Sequence, residues 1–197
     1  MSRFQKLRYI FSALLSYLYR KQRVVIEEIP SGKIIDIGGG GEGIIAQIGG
    51  ENITVIDKRE SEIKEAQSKA PTATWRVADA RNLPFENSSF DNATAFFSLM
   101  YMKPSVKEEV ISEVFRVLPP GGEFWIWDAI IAKKGIFVIM LSIQLPNGKT
   151  IRTGYGSNDV NQTDESVSDI LQKIGFDIKE KYSSKLWFFL RVKKEIT

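Results

Sequence analysis

Apolar runs and amphipathic segments alternate along most of this chain of 197 residues. Five apolar runs rich in β-branched residues end at glycine or polar residues, and this pattern predicts strands. They occupy residues 33–37, 52–58, 72–79, 91–99 and 123–131. Apolar residues at helical spacing predict helices at 43–48, 61–70 and 105–118. Strands that alternate with helices predict an α/β fold with a doubly wound, mostly parallel sheet.

The later part of the chain departs from this alternation. Residues 136–155 are two strand-like runs around Pro146-Asn147-Gly148, and Asn-Gly is a strong signal for the tight turn of a β-hairpin. A helix is predicted at 164–176. Two further strands, at 177–183 and 186–192, are joined by a link short enough for antiparallel pairing. No segment resembles a linker, so we expect a single domain over residues 1–197.

The N-terminal segment, residues 1–23, is basic and amphipathic. It carries six Lys or Arg residues and no acid, so the basic excess is confined to one end and does not favour a broad nucleic-acid surface. Its apolar stretch, residues 9–19, is too short to span a bilayer. Helical spacing predicts an amphipathic helix that packs on the domain or contacts a membrane surface. No cleavage site for a secretory signal follows, so a cytoplasmic location is expected.

The composition narrows the available chemistry. The chain contains no cysteine and no histidine. Disulfides and thiolate metal sites are therefore excluded, together with the commonest metal ligand and the commonest general base near neutral pH. No metal site is predicted, and a catalyst would have to use carboxylates, Lys, Tyr, the backbone or a cofactor.

A glycine-rich stretch, "IIDIGGGGEGII" at residues 34–45, predicts a ligand-binding loop between a strand and a helix. Gly38, Gly40 and Gly43 fit G-x-G-x-x-G, which is a weak signal by itself. Asp57 follows 19 residues after Gly38, at a predicted strand end where its carboxylate can accept hydrogen bonds from ribose hydroxyls. NAD and S-adenosylmethionine both fit these features. Asp36, two residues before the first glycine, favours the ligand that carries an ammonium and a sulfonium.

The sequence here resembles the class I (Rossmann-like) S-adenosylmethionine-dependent methyltransferases, and most of all the small-molecule branch that includes ubiquinone and menaquinone methyltransferases. The resemblance covers roughly residues 30–130. It rests on "IIDIGGGGEG", "VIDK", "WRVADARNLPFENSSFD" and "VFRVLPPGGEFWIWD", in that order. It implies a seven-stranded sheet with an antiparallel last strand, and S-adenosylmethionine as the cofactor.

The resemblance also assigns residues to the cofactor. It implies that Gly38 and Gly40 approach the methionine part, with Asp36 near the amino group. Asp57 would hold the ribose hydroxyls, and Lys58 would lie beside the adenine edge.

The remaining cofactor residues follow the third and fourth predicted strands. The resemblance implies that Asp79 and Ala80 meet the adenine, with Asp79 accepting from its exocyclic amine. Phe97 and Ser98 would face the sulfonium and the substrate. One departure from the family's loop is Glu42, which stands where the third glycine is usual.

Methyl transfer needs mainly alignment of the acceptor with an activated methyl group, so a missing histidine does not argue against catalysis. Tyr101 is the first candidate for positioning or proton transfer, and Asp128 is the second. The elements expected to cover the pocket are aromatic and aliphatic, which favours a small apolar or aromatic acceptor. They contribute Phe11, Leu14, Tyr17, Met100, Tyr101, Met102, Phe137 and Met140.

Three alternatives to a small-molecule methyltransferase stay open. One is a member of the same fold that binds the cofactor or a partner chain without turnover. Another is an RNA or protein methyltransferase that docks through residues 1–23. The third is an NAD-dependent reductase, which Asp36 and the later motifs disfavour.

Overall fold

A computed structural model of the protein describes residues 21–133, 135–158 and 160–195. The strands of this part of the chain form two sheets, of seven and three strands. The strands are β1 (Lys21–Val25), β2 (Ile34–Ile37), β3 (Ile53–Asp57), β4 (Thr74–Val77), β5 (Asn92–Phe96), β6 (Glu123–Ala129), β7 (Ile136–Gln144), β8 (Thr150–Asn158), β9 (Phe176–Ser183) and β10 (Trp187–Lys194).

The seven-stranded sheet has the order β4-β3-β2-β5-β6-β10-β9. Neighbours from β4 to β6 pair in parallel, whereas β10 pairs antiparallel with both β6 and β9. The predicted doubly wound sheet with an antiparallel last strand is therefore confirmed. Strand order reverses between β2 and β5, and in such sheets ligands bind beyond the carboxyl ends of the strands at this point.

Helices lie in the β2–β3, β3–β4, β5–β6 and β8–β9 connections. They are α1 (Ile44–Gly49), α2 (Glu60–Gln67), α3 (Pro104–Val117) and α4 (Asp164–Ile174), with 3-10 turns at Gly50–Asn52 and Leu99–Tyr101. Local chemistry sets the ends of α4. Thr163 and Ser166 form a capping box at its start, and Gly175 ends it in the left-handed conformation, with φ of 115°.

The two faces of the large sheet bury separate apolar cores. Successive side chains of β2 illustrate the alternation, because Ile34 packs into one core while Ile35 and Ile37 pack into the other. Residues of α3 and α4 cover the second core. Residues of α1 and of the three-stranded sheet cover the first.

The three-stranded sheet has the order β1-β7-β8. β7 and β8 pair antiparallel, and their turn closes where the Leu145 N–H donates to the Lys149 carbonyl over 2.9 Å. The hairpin thus runs over residues 136–158, slightly beyond the expected end at 155. β1 lies parallel to β7. Residues 21–23 are strand here, which corrects the helix expected over 1–23, and the rest of that helix lies outside the described residues.

Within the described ranges, no helix is both long and apolar enough to cross a bilayer.

Candidate active site

The glycine-rich loop connects β2 to α1 and occupies residues 38–43. Gly38 and Gly43 have φ of 70° and 59°, a region that favours glycine. The Gly38 N–H donates to the Ile56 carbonyl over 2.7 Å. A Cβ on Gly38 would lie 2.7 Å from Cβ of Ser98. The loop therefore needs glycine both for its backbone path and for its close approach to the end of β5.

Two polar side chains are buried directly under this loop. Asp36 has no exposed surface, and its Oδ1 accepts a hydrogen bond from Thr94 Oγ1 over 2.8 Å. Its Oδ2, like Ser98 Oγ, has no hydrogen-bond partner in the described part of the chain. A Cβ on Gly39 would lie 2.0 Å from that Oδ2. Burial raises the pKa of Asp36 to about 7, with a smaller contribution from the charge of Asp57.

The unpartnered oxygens of Asp36 and Ser98 show what kind of ligand group the site can accept. A buried carboxylate oxygen without a donor is costly, and an ammonium group beside it would remove the cost. The geometry of Asp36 therefore suits a cationic amino group at the loop.

Asp57, the last residue of β3, links the loop to the next strand. Its Oδ2 accepts from the Gly40 N–H over 3.3 Å, and its Oδ1 accepts from the Arg59 N–H over 2.9 Å. Although only 6% exposed, Asp57 lines the cleft, as do Gly40 and Lys58. Each of its oxygens retains a lone pair for a hydroxyl donor.

Asp79, two residues after β4, is held by Arg81. Arg81 donates to both Asp79 oxygens, with Nη2 to Oδ2 at 2.6 Å and Nε to Oδ1 at 3.1 Å. These side-chain hydrogen bonds lower the pKa of Asp79 to about 2. Asp79, Ala80 and Arg81 all line the cleft. An adenine amine would therefore meet a carboxylate that Arg81 already orients, a partner that the sequence analysis missed.

Beyond β5, residues 97–101 form the opposite wall of the cleft, and we call this segment the wall turn. Phe97 has a φ of 49°, rare for a residue with a side chain, and its N–H donates to the Trp127 carbonyl over 2.7 Å. Such backbone strain clusters at functional sites. Phe97, Ser98 and the half-exposed Tyr101 line the cleft. Burial raises the pKa of Tyr101 above its usual value, so its hydroxyl is protonated at neutral pH.

The hairpin contributes a residue that the sequence analysis missed. The Tyr155 ring in β8 stacks on Phe97, with ring centroids 5.1 Å apart and planes 20° apart. Tyr155, Gly154 and Thr153 line the cleft. Burial raises the pKa of Tyr155 well above its usual value, so the hydroxyl stays neutral and can donate. The sequence features that could have identified Tyr155 were the predicted hairpin and the aromatic residue in "TGYG".

Asp128, the second catalytic candidate, lies outside the cleft lining. It is fully buried, and its Oδ2 accepts from the Leu99 N–H over 2.8 Å. Its Oδ1 accepts from the Ala129 N–H and from Gln162 Nε2. All of its described contacts are internal, which favours a structural task over contact with a substrate.

The residues expected to cover the pocket divide into three groups. Tyr101 and Met102 line the cleft. Met100 and Phe137 are buried in the core, and Met140 packs its sulfur near Gly154. Phe11, Leu14 and Tyr17 lie outside the described residues.

Glu42, the departure from the family's glycine loop, does not fill the cleft. Its carboxylate lines the rim and pairs with Lys69 Nζ at 3.1 Å. The same Lys69 donates to the Gly41 carbonyl over 3.0 Å. Gly43 follows in the left-handed region, so the bend into α1 is made one residue later. The pair anchors the loop from outside and leaves its inner side free.

The cleft is continuous from the glycine loop to the hairpin, with a volume of about 740 Å³. This size is typical of sites that bind small molecules. Carboxylates and backbone amides line the half near β2, β3 and β4. Aromatic and aliphatic side chains line the half near the wall turn and β8. The described residues contain no group of His, Cys, Asp and Glu that could hold a metal ion.

Comparisons with known proteins agree with this geometry. The family described as a methyltransferase domain matches residues 34–122. An uncharacterised methyltransferase of Synechocystis sp. is 29% identical over 166 residues, which are 78% of this chain and 70% of that protein. A ubiquinone/menaquinone biosynthesis C-methyltransferase of Cereibacter sphaeroides is 31% identical over 107 residues, which are 49% of this chain and 42% of that protein. This chain thus spans less than half of the second relative's length.

Solved structures share the fold. An S-adenosylmethionine-dependent methyltransferase of Methanosarcina mazei superposes with a TM-score of 0.63 at 21% identity, covering 87% of this chain and 96% of that one. The matched domain, the strand order and the glycine loop lead to one assignment. The comparisons and the geometry support a class I (Rossmann-like) S-adenosylmethionine-dependent methyltransferase, with S-adenosylmethionine as the cofactor.

Proposed function

We propose that the protein transfers the methyl group of S-adenosylmethionine to a small apolar or aromatic acceptor held between the wall turn and the hairpin. The observation that carries this proposal is the continuous cleft, polar at the glycine loop and lined at its other end by the stacked rings of Phe97 and Tyr155. A cleft of two chemical halves suits a polar cofactor and an apolar acceptor.

The polar half fits the cofactor residue by residue. Gly38 and Gly40 leave room for the methionine part, and the unpartnered Asp36 Oδ2 suits its amino group. Asp57 lines the cleft and would accept from the ribose hydroxyls. Lys58 lies beside it at the rim.

The adenine end of the same half lies past β4. Asp79 and Ala80 line the cleft there, with Arg81 fixing the Asp79 carboxylate. Asp79 would accept from the exocyclic amine while retaining its hydrogen bonds to Arg81. Phe97 and Ser98 then stand at the junction of the two halves, where the sulfonium would meet the acceptor.

When bound, the cofactor supplies a methyl group on a positively charged sulfur, ready for in-line displacement. The protein's task is to align the acceptor and exclude water, and such alignment supplies much of the rate. Tyr101 and Tyr155 present neutral hydroxyls to the acceptor half, so each can donate a hydrogen bond that orients an acceptor oxygen or nitrogen. We assign Tyr101 to positioning rather than to proton removal, because its raised pKa keeps the hydroxyl protonated at neutral pH and so unable to take up a proton.

The names of relatives support an apolar acceptor. The protein of Cereibacter sphaeroides is named for ubiquinone and menaquinone C-methylation, and its match covers 49% of this chain. We infer the chemistry of the acceptor from the side chains that line the acceptor half of the cleft in this chain.

The test begins with calorimetric titration of S-adenosylmethionine, S-adenosylhomocysteine and NAD into the wild type and Asp57→Asn. We expect both adenosyl ligands to bind, NAD not to bind, and Asp57→Asn to weaken binding roughly tenfold or more, because charged hydrogen bonds to hydroxyls are lost. Asp91→Asn is the matched control. Asp91 accepts from the Lys33 N–H at the amino end of the sheet, far from the cleft.

Transfer is then assayed with methyl-labelled S-adenosylmethionine and a panel of phenols, quinols and aromatic amines. Labelled product from one of these acceptors would support the proposal. Tight cofactor binding without product across the panel would favour the binding-only alternative. Product from RNA or protein alone would overturn the assignment of a small acceptor.

A further inference from the structure

Asp128 connects the end of β6 to the wall turn. Its Oδ2 accepts from the N–H of Leu99, the first residue of the 3-10 turn, at 2.8 Å. The first N–H groups of a helical turn have no partner within the turn. Asp128 therefore supplies the acceptor that the turn lacks.

A second contact fixes the same segment to the same strand. The Phe97 N–H donates to the Trp127 carbonyl over 2.7 Å, one residue before Asp128. Between these two contacts lie the strained backbone of Phe97 and the buried Ser98. A third contact comes from the hairpin, where Ser157 Oγ donates to the Met100 carbonyl over 2.9 Å. The wall turn is thus held on two sides, and among the described residues Asp128 holds it with a charged side chain.

Asp128 is itself held by groups that have no contact with the cleft. Gln162 Nε2 donates to Oδ1 at 2.9 Å and to the Ala129 carbonyl at 2.8 Å. Lys107 of α3 is 2% exposed, and its charge lowers the pKa of Asp128 against the larger effect of burial. These contacts fix the carboxylate before any ligand arrives, which is the arrangement expected of a support for a binding wall.

We propose that Asp128 is a positioning residue that holds the wall turn, and with it Phe97, Ser98 and Tyr101, in the geometry that the acceptor half of the cleft requires. The catalytic meaning of this proposal rests on the proposed function, but its test does not. Hydrogen–deuterium exchange reads the wall turn directly, without cofactor or acceptor.

The first measurement compares the full-length wild type, Asp128→Asn and Asp128→Leu at pH 8, over peptides that cover residues 97–103. Asn keeps one oxygen for the Leu99 N–H, whereas Leu keeps none. We expect exchange in these peptides to be roughly tenfold or more faster in Asp128→Leu, with Asp128→Asn in between. Peptides that cover residues 34–37 should be unchanged. Asp91→Asn is the matched control, since it weakens a carboxylate contact to a backbone N–H at the other end of the sheet.

A pH profile separates positioning from general stability. Burial raises the pKa of Asp128 to about 6, so the wild type and Asp128→Asn should exchange alike in the wall turn below about pH 5 and differ above about pH 7. The titratable groups that face Asp128 are Lys107 from α3, Tyr101 from the wall turn and Tyr155 from β8. Lys107→Met should move the midpoint to higher pH, because the cation that favours ionised Asp128 is gone. This variant also keeps the test intact if Asp128→Leu does not fold.

Equal exchange over residues 97–103 in the wild type and Asp128→Asn at pH 8 would overturn the proposal. So would an increase that extends equally to residues 34–37, which would assign Asp128 to the stability of the whole sheet. The proposal would also be overturned if the difference in wall-turn exchange between the wild type and Asp128→Asn stayed the same below pH 5. Failure of methyl transfer would leave all of these results intact.

Discussion

We predict that Asp36 makes the binding of a cationic cofactor dependent on pH. Burial raises its pKa to about 7, and its Oδ2 has no described partner. A cofactor ammonium placed beside that oxygen favours the ionised carboxylate and pulls the pKa down. Binding therefore releases a proton from the fraction of Asp36 that is still protonated. The affinity for the cofactor therefore rises as pH increases towards 7 and levels off above it.

The magnitude follows from the fraction of ionised Asp36. With a pKa of about 7, that fraction rises from roughly 0.1 at pH 6.0 to roughly 0.8 at pH 7.5, so affinity should increase roughly eightfold. The range stops at pH 7.5 because the amino group of the cofactor begins to titrate near pH 8.

Isothermal titration with S-adenosylmethionine measures both the affinity and the number of protons released. Buffers of different ionisation enthalpy count the protons, and we expect close to one proton released per cofactor at pH 6.0. Asp36→Asn should bind more weakly at pH 7.5 and show no pH dependence over this range, while Asp91→Asn should behave as the wild type. A wild-type affinity that is flat from pH 6.0 to 7.5, or a slope that survives in Asp36→Asn, would refute the placement of the ammonium beside Asp36.

Three further predictions concern the loop and the two ends of the cleft. Gly39→Ala should lower the free energy of unfolding by about 1–3 kcal/mol in urea denaturation, because the new Cβ would meet Asp36 Oδ2 at 2.0 Å; an unchanged midpoint would contradict this. Tyr155→Ala should leave the affinity for S-adenosylhomocysteine unchanged within about twofold and shift turnover towards bulkier acceptors roughly tenfold, with Tyr155→Phe as the shape-conserving control. Arg81→Met should raise the pKa of Asp79 from about 2 towards 3.8 in an NMR titration of the side-chain carboxyl carbons, and no change would show that Arg81 does not hold it in solution.

The parallel sheet could be predicted because its signals are local. Most of its strands read as short apolar runs, and the β2–β3, β3–β4 and β5–β6 connections each contain a helix. The same is true of the loop, where Asp36 and Asp57 lie at strand ends that the sequence marks with glycine or a following charge. In the structure Asp57 lines the cleft, whereas Asp36 is fully buried beneath the glycine loop.

The contacts that complete the cleft could not be predicted, because they join segments far apart in the chain. The first three residues of β1, 21–23, were expected to be helix, since they follow a stretch with helical spacing. Its strand conformation comes from pairing with β7. Tyr155 reaches the cleft through a stack on Phe97, and no local pattern encodes that pairing. Asp57 and Asp128 both stand near a strand end. The sequence therefore did not reveal that the Asp57 carboxylate faces the cleft, whereas the Asp128 carboxylate accepts from the Leu99 N–H.

The hairpin side of the cleft belongs to a different sheet from the side formed by the glycine loop and β3. Gly38, Asp57 and Asp79 lie at or just beyond the carboxyl ends of strands of the seven-stranded sheet, whereas Tyr155 lies in β8 of the three-stranded one. Variation in the hairpin can therefore accumulate without touching the strands that bind the cofactor. For laboratory evolution, a library confined to the cleft-facing positions of Thr150–Asn158 would sample new acceptors on an unchanged methyl-donor site. The same separation gives natural selection a way to change the acceptor while the donor half stays constant.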